Sequence, residues 1–236
     1  MIDQLIIGDK GSFDDFGFSL ASRKIGQPKK KSIKETVPYS NKTYDFSAIN
    51  GEVYWEEREL EYILEMTAST AEELEEMKAA FAGWVMNVMD EEIHDPFITD
   101  YHFVGTYDDM SFEDEETLDK TTATVKFTAY PYKVANIVKK YTHTIAGKGS
   151  LVVNLLNNSS HRVTPKVKCS GEITVKRETD TALESWGLPA SEEAAEVTDS
   201  TTGKVFMLEV GLTKITLENP LSTPCTIEFS FYEEVQ

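Results

Sequence analysis

The sequence predicts a mainly β fold with one packed helix, which places the chain in the α+β class. Two segments in the first half alternate apolar and polar residues with the two-residue period of a half-buried strand. Between them lies one segment with the three- and four-residue apolar spacing of an amphipathic helix. The second half contains short strand-like runs separated by turn residues. We therefore expect a β-rich domain over residues 1–134 and a β-sandwich over residues 135–236.

The two alternating segments cover residues 59–66 and 121–130. In each of them the apolar side chains fall on one face and the polar side chains on the other. The apolar residues are Leu60, Tyr62, Leu64 and Met66 in the first segment and Ala123, Val125, Phe127 and Ala129 in the second. Both segments are therefore predicted to be strands that bury one face.

A single helix is predicted over residues 70–89. Ser69 with Glu72, or Thr70 with Glu73, has the spacing of a capping box. Acidic residues near the start suit the helix dipole, whereas those at 90–92 would oppose it, so the helix should stop near Met89. Its apolar stripe consists of Leu74, Met77, Phe81, Trp84, Val85 and Val88. Such a stripe is typical of a helix packed on a sheet.

Two segments of opposite charge lie outside these elements. A basic arm over residues 23–34 carries no acidic residue and is interrupted by Gly26 and Pro28. Because the arm cannot form a core of its own, it is either solvated or reaches onto a partner. An acidic loop is predicted over residues 108–119. The charged residues concerned are Arg23, Lys24, Lys29, Lys30, Lys31 and Lys34 in the arm and Asp108, Asp109, Glu113, Asp114, Glu115 and Glu116 in the loop.

The segment 178–203 interrupts the strand-like pattern of the second half. We expect it to be a long loop, with a short helix possible over residues 191–197. Trp186 stands in this loop away from any periodic element, so it could be an exposed anchor for a partner or a residue that stacks on a sugar. Packing within the loop itself is an equally open interpretation.

The net charge of −18 limits the partners of the chain. A protein that grips nucleic acid through its phosphates needs a basic face, so this class is not expected. Acidity would suit either a conduit that repels DNA or simple solubility. No apolar run approaches the roughly 20 residues of a membrane span, and the first residues lack the pattern of a secretory signal, so no membrane partner is expected.

The sequence contains no recognisable catalytic, cofactor-binding or metal-binding pattern, and we do not expect an enzyme. His94, His102, His143 and His161 have no metal-like spacing to one another or to cysteine, so none is expected to be a ligand. Cys169 and Cys225 are far apart in strand-like runs and are expected to be reduced.

Five short stretches, taken in order, resemble the bacteriophage distal tail protein family, the tail-tip hub proteins of long-tailed phages and prophages. At the segment Val37-Pro38 the family glycines are replaced, and the spacing from Tyr54 to Arg58 is one residue longer than in the family. The stretches cover residues 15–20, 37–45, 54–58, 127–133 and 165–171, of which Phe127-Thr128-Ala129-Tyr130-Pro131-Tyr132-Lys133 is the most specific.

This resemblance implies a structural protein of the virion tail tip, made and assembled in the cytoplasm of the bacterial host. It implies a homo-hexameric ring that joins the tail tube protein to baseplate or tail-tip fibre proteins. DNA would pass through a central channel without being bound specifically. The first domain would form the ring, and the second would be a galectin-like sandwich. We further expect the basic arm to lie on the acidic segment of the neighbouring subunit and fix the register of the ring.

The alternative function is a carbohydrate-binding β-sandwich module that recognises a sugar of the host cell wall. In that case Trp186 would stack on the sugar.

Overall fold

The computed structural model describes residues 3–36, 38–39, 41–47, 53–115, 119–179, 182–199 and 202–236. The chain divides into two compact units, Met1–Lys133 with Gln236 and Val134–Val235. The described residues form nineteen strands and one α-helix, which confirms the predicted fold class. That helix is neither long nor apolar enough to cross a membrane.

The first unit is built on one antiparallel sheet. The elements are β1 (Ile6–Ile7), β2 (Lys10–Gly11), β3 (Ser19–Ile25), β4 (Lys34–Thr36), β5 (Thr43–Asp45), β6 (Arg58–Thr67), α1 (Ala71–Val85), β7 (Glu91–His94), β8 (Tyr101–Asp114) and β9 (Lys120–Ala129). Seven strands of the sheet follow the order β2-β1-β7-β8-β9-β6-β3, and β4 and β5 form a separate two-stranded sheet.

The two alternating segments are the adjacent strands β6 and β9, as the period predicts. Their register aligns Leu60 with Phe127 and Leu64 with Ala123, so the apolar residues of both strands share one face. All eight predicted inward residues are at most 3% exposed. The alternation of apolar and polar residues therefore predicted correctly which face of these two strands is buried.

Helix α1 covers this face. Thr70 is its N-cap and accepts a hydrogen bond from the Glu73 amide at 3.1 Å, while Glu73 accepts one from the Ser69 amide at 2.8 Å. The predicted end near Met89 is wrong, because the helix stops at Val85. After Val85 the chain turns, and Asp90 adopts a positive φ of 53°. Phe81 stacks on Phe18 with ring centroids 4.1 Å apart, which fixes the helix on the core.

The expected acidic loop over 108–119 is largely a strand. Strand β8 runs to Asp114 and pairs with β9 from Gly105 onward, with a register shift between Tyr107 and Asp109. The backbone pairing overrides the poor β propensity of the acidic residues. Residues 116–118 of the expected loop, which include Glu116, lie outside the described part of the chain.

The remaining strands of the chain are β10 (Lys133–Ala135), β11 (Lys139–Ile145), β12 (Ser150–Asn157), β13 (Lys166–Cys169), β14 (Ile173–Glu178), β15 (Leu183–Leu188), β16 (Ser191–Glu196), β17 (Gly211–Glu218), β18 (Cys225–Phe231) and β19 (Glu234–Val235). In the second unit they form two four-stranded antiparallel sheets around one core, with the orders β11-β18-β13-β16 and β12-β17-β14-β15. The sandwich prediction is therefore confirmed. Cys169 and Cys225 are buried free thiols.

The prediction of a long loop over residues 178–203, with a helix at 191–197, is wrong. Strand β15 pairs with β14, and strand β16 pairs with β13. Both are edge strands of their sheets. The sequence Ser-Glu-Glu-Ala-Ala-Glu of β16 has helical propensity, but pairing with a neighbouring strand outweighs local preference.

Candidate functional site

The basic arm is part of an antiparallel ribbon rather than a loose loop. We call the described residues 29–36, 38–39, 41–47 and 53–56 the arm ribbon. Lys30 bridges to Trp55, and the Lys31 amide donates to the Tyr54 carbonyl at 2.8 Å. Further along, β4 pairs with β5, and all six residues of these two strands are exposed. The backbone thus holds this projection together without burying it on a core.

The arm ribbon exposes several large apolar side chains. Tyr44 and Phe46 stack with their centroids 6.5 Å apart, yet each is about 40% exposed. Apolar clusters of this kind on a soluble surface mark interaction sites. The exposed apolar side chains of the ribbon are Ile33, Tyr39, Tyr44, Phe46, Val53 and Tyr54.

Five of the six basic residues of the arm are exposed and form no ion pair among the described residues: Lys24, Lys29, Lys30, Lys31 and Lys34. Lys34 lies opposite Asp45 in the β4–β5 pair. A hydrogen bond from Ser47 and the nearby lysine charges lower the pKa of Asp45. The ribbon therefore presents Lys29, Lys30 and Lys31 as a cationic surface.

Arg23 has a different role from the other basic residues of the arm. It lies in β3 and pairs with Asp95, whose side chain is completely buried. Asp95 also accepts a hydrogen bond from the Phe97 amide at 2.9 Å, and the Arg23 guanidinium lies over the Phe97 ring. Removing Arg23 would leave a buried carboxylate without its counter-ion. Arg23 therefore stabilises its own subunit.

The acidic residues of β8 also fall into two groups. Asp108, Asp109 and Glu113 are exposed, and we find no ion pair for them within the described ranges. Asp114 instead binds Lys78 of helix α1 at 2.9 Å, while Glu115 lies 3.9 Å from Lys120. The first three residues, which we call the acidic strip, remain available to a partner.

The hydrogen bonds of Asp114 also shift its pKa. Hydrogen bonds from Thr121 and Lys78 hold the pKa of Asp114 below its ordinary value. The pKa of Lys78 is raised because its bonds to Glu75 and Asp114 outweigh its partial desolvation. Both shifts are those of a pair formed inside one subunit.

The expectation that Trp186 is an exposed loop residue is wrong. Trp186 lies in β15 and is 1% exposed, its indole nitrogen donates to the Lys204 carbonyl at 3.0 Å, and Phe206 packs edge-on against its ring. The alternation of inward Trp186 and Leu188 with Ser185 and Gly187 was the signal in the sequence that indicated a strand. This burial removes the basis for a partner anchor or a sugar-stacking platform at Trp186.

A groove of about 640 Å³ lies on the sheet of β11, β18, β13 and β16 in the second unit. It is lined by Thr142, Lys168, Cys169, Ser170, Ala190, Ser191, Glu192, Thr226 and Glu228. None of these residues offers an aromatic face on which a sugar ring could stack. The groove therefore does not favour the carbohydrate-binding alternative.

The structure brings together three potential metal ligands that the spacing of the histidines does not reveal. Glu92, His94 and His102 place one ligand atom each within 4.8 Å of one another. Glu92 and His94 are two residues apart in β7, and His102 belongs to the next strand, β8. Sequence reasoning missed the cluster because it depends on the pairing of two strands.

No protein-family model matches the chain, and no curated protein matches it either. The chain is similar to the crystal structure of the SPP1 Dit protein, described as a paradigm of hub adsorption apparatus in Gram-positive infecting phages, with a TM-score of 0.70 and 12% sequence identity over 98% of this chain and 99% of that chain. A designed double-stranded β-helix solved by NMR matches at 15% identity over 41% of this chain and 97% of that chain, but its TM-score of 0.24 does not indicate a shared fold. The likeness to Dit confirms the fold that the resemblance to distal tail proteins implied: this chain has a distal-tail-type fold over almost its full length.

Proposed function

We propose that this chain is a structural protein of a phage tail tip, a hub that assembles with copies of itself into a ring. The observation that carries the proposal is the fold shared with a phage hub protein over 98% of the chain. The stretches at positions 15–20, 54–58 and 127–133, which resemble motifs of the distal tail family, support it independently of that comparison.

The proposed ring is a homo-hexamer that joins the tail tube protein to the tail-tip or fibre proteins. Its central channel lets DNA pass without binding it, which fits a chain with a net charge of −18. In this assignment residues 1–134 form the ring, and residues 135–236 form a galectin-like sandwich outside it. The protein is assembled in the cytoplasm of the bacterial host and ends at the tip of the virion tail.

A closed ring needs a contact between two different surfaces of each subunit. We assign these surfaces to the arm ribbon of one subunit and the acidic strip of its neighbour. The ribbon brings unpaired lysines and exposed aromatic residues, which together are typical of an interface with an apolar centre and a charged rim. The charges steer the encounter and fix the register, while the apolar side chains supply most of the affinity.

Charge reversal tests this assignment. The triple substitution of Lys29, Lys30 and Lys31 by Glu places like charges opposite the acidic strip, so ring assembly at low salt should be lost. The matched control reverses Lys148, Lys168 and Lys214, three exposed lysines of the second unit that make no ion pair among the described residues. This control changes the net charge by the same amount and should assemble normally.

A second variant makes the test specific to the acidic strip. Reversing Asp108, Asp109 and Glu113 to Lys in the arm-reversed chain should restore assembly. Native mass at several salt concentrations gives the readout, because salt screens exposed charge pairs. If wild-type rings form and the arm-reversed chain assembles with unchanged salt sensitivity, the interface is elsewhere although the ring remains. If the wild-type chain forms no ring, the proposed function itself fails.

A further inference from the structure

Glu92, His94 and His102 meet at one point of the main sheet in the first unit. The Nε2 atom of His94 lies 3.3 Å from one carboxylate oxygen of Glu92, and the Nε2 atom of His102 lies 3.8 Å from the other. The two imidazole rings are 5.1 Å apart at their centroids. Both rings thus direct a nitrogen at the same carboxylate.

Strand geometry brings these side chains together. Glu92 and His94 are two residues apart in β7, so they share one face of the sheet. The register of β7 against β8 aligns Ile93 with Phe103, and its continuation by one residue places His94 opposite His102. Side chains that lie directly opposite on adjacent strands have Cβ atoms about 4.5–5.5 Å apart. The backbone therefore holds two of the three donors close together before any ligand binds.

The spacing of the donors is close to what a tetrahedral transition-metal ion requires. Bonds of about 2.0–2.2 Å at tetrahedral angles separate the donor atoms by about 3.3–3.6 Å. The Nε2 atom of His94 lies 3.3 Å from one carboxylate oxygen of Glu92, and no separation exceeds 4.8 Å when each residue contributes a single donor atom. The Glu92 side chain is 61% exposed, so it is able to shift by the small distance that remains.

The donor set also selects the kind of ion. Two imidazoles and one carboxylate suit Zn²⁺ and its first-row neighbours, whereas Ca²⁺ and Mg²⁺ prefer oxygen ligands alone. His102 is 6% exposed and His94 33% exposed, so the ion would sit in a partly shielded site that solvent reaches past His94 and Glu92. Three protein ligands leave a fourth position for water or for a group from a partner.

We propose that Glu92, His94 and His102 form a binding site for a divalent transition-metal ion, with Zn²⁺ as the expected occupant. The ion links β7 to β8 and stiffens the sheet on which the acidic strip lies. This site is independent of the proposed tail function and uses different residues from the proposed ring contact.

Titration of the full chain with ZnCl₂ alone tests the site by calorimetry. We expect one Zn²⁺ per chain and a rise of the unfolding temperature on binding, because a ligand of the native state stabilises it. His94→Ala and Glu92→Gln should each weaken binding by at least about tenfold. Both substituted side chains are partly exposed, so these variants should still fold, whereas His102→Ala removes a buried ring.

His161→Ala is the matched control. The Nε2 atom of His161 lies 3.2 Å from a carboxylate oxygen of Glu234, but the described residues place no third such donor beside this pair. The control should bind Zn²⁺ as the wild type does. Titration with Co²⁺ adds a second readout, because its visible absorption reports a tetrahedral site directly. Equal affinity in His94→Ala and the wild type, or no stoichiometric binding by the wild type, would overturn the proposal.

Discussion

The replacement of Trp186 by Ala should strongly destabilise the second unit rather than abolish the binding of a sugar or a partner. The indole is 1% exposed and lies over the guanidinium of Arg177, with ring centre and guanidinium carbon 5.5 Å apart. The Phe206 ring packs edge-on against the indole with the ring centroids 5.0 Å apart. Removing the indole leaves a cavity that edge strand β15 can fill only in part.

The size of the effect follows from these contacts. Deleting a buried Trp side chain costs about 3–5 kcal/mol in the free energy of unfolding. Within that value the edge-on aromatic pair with Phe206 accounts for about 0.5–1.5 kcal/mol. Trp186→Phe keeps most of the apolar volume but leaves the Lys204 carbonyl without its donor at 3.0 Å, so it should cost about 1–3 kcal/mol.

Urea unfolding followed by circular dichroism measures these differences. At a slope of about 1.5 kcal/mol per molar urea, Trp186→Ala should lower the midpoint of the second unit by about 2–3 M. Leu183→Ala is the control, because Leu183 lies in the same strand but is 65% exposed. It should change the unfolding free energy by less than about 0.5 kcal/mol. If Trp186→Ala behaves like this control, the burial of the indole is wrong and the exposed-anchor interpretation returns.

Two further substitutions test the buried ion pairs of each unit. Asp95→Asn should lower the free energy of unfolding in urea by about 3 kcal/mol. This value is the lower end of the range for breaking a buried ion pair, because the Arg23 side chain is 28% exposed. A loss below about 0.5 kcal/mol would contradict the pairing. In the second unit, burial alone would raise the pKa of Glu184, but hydrogen bonds from Lys204 and Arg177 outweigh it and hold that pKa below the ordinary value of 4.5. The stabilisation by the ionised Glu184 carboxylate is therefore complete above pH 4.5 and is lost as the pH falls through the lowered pKa of the folded state. The unfolding temperatures of the wild type and Glu184→Gln should accordingly converge towards pH 3. A constant difference between them from pH 7 to pH 3 would refute this assignment.

The sequence predicts most of the first unit because its signals are local. Alternation in β6 and β9 and the capping residues Thr70 and Glu73 each depend on neighbours within a few positions, and all are confirmed. The end of α1 was placed four residues too late because Val88 continues the apolar stripe after the helix has stopped. Val88 is still buried, so at this position the apolar pattern indicates a buried side chain and not a continuing helix.

What the sequence could not predict depends on pairing between distant segments. β16 is held by backbone bonds to β13, which are invisible in the propensities of its own residues. Arg23 and Asp95 are 72 residues apart, so the loss of Arg23 from the basic surface could not be foreseen. The same holds for His94 and His102, whose proximity follows from the register of β7 and β8.

The native mass of the purified chain, combined with negative-stain images, tests the central claim most directly. A hexamer of the 26.6 kDa chain has a mass of about 160 kDa, and its images should show a closed ring with a central opening. A monomer at all concentrations, or a dimer closed by one symmetric contact, would contradict the ring and with it the tail-hub function.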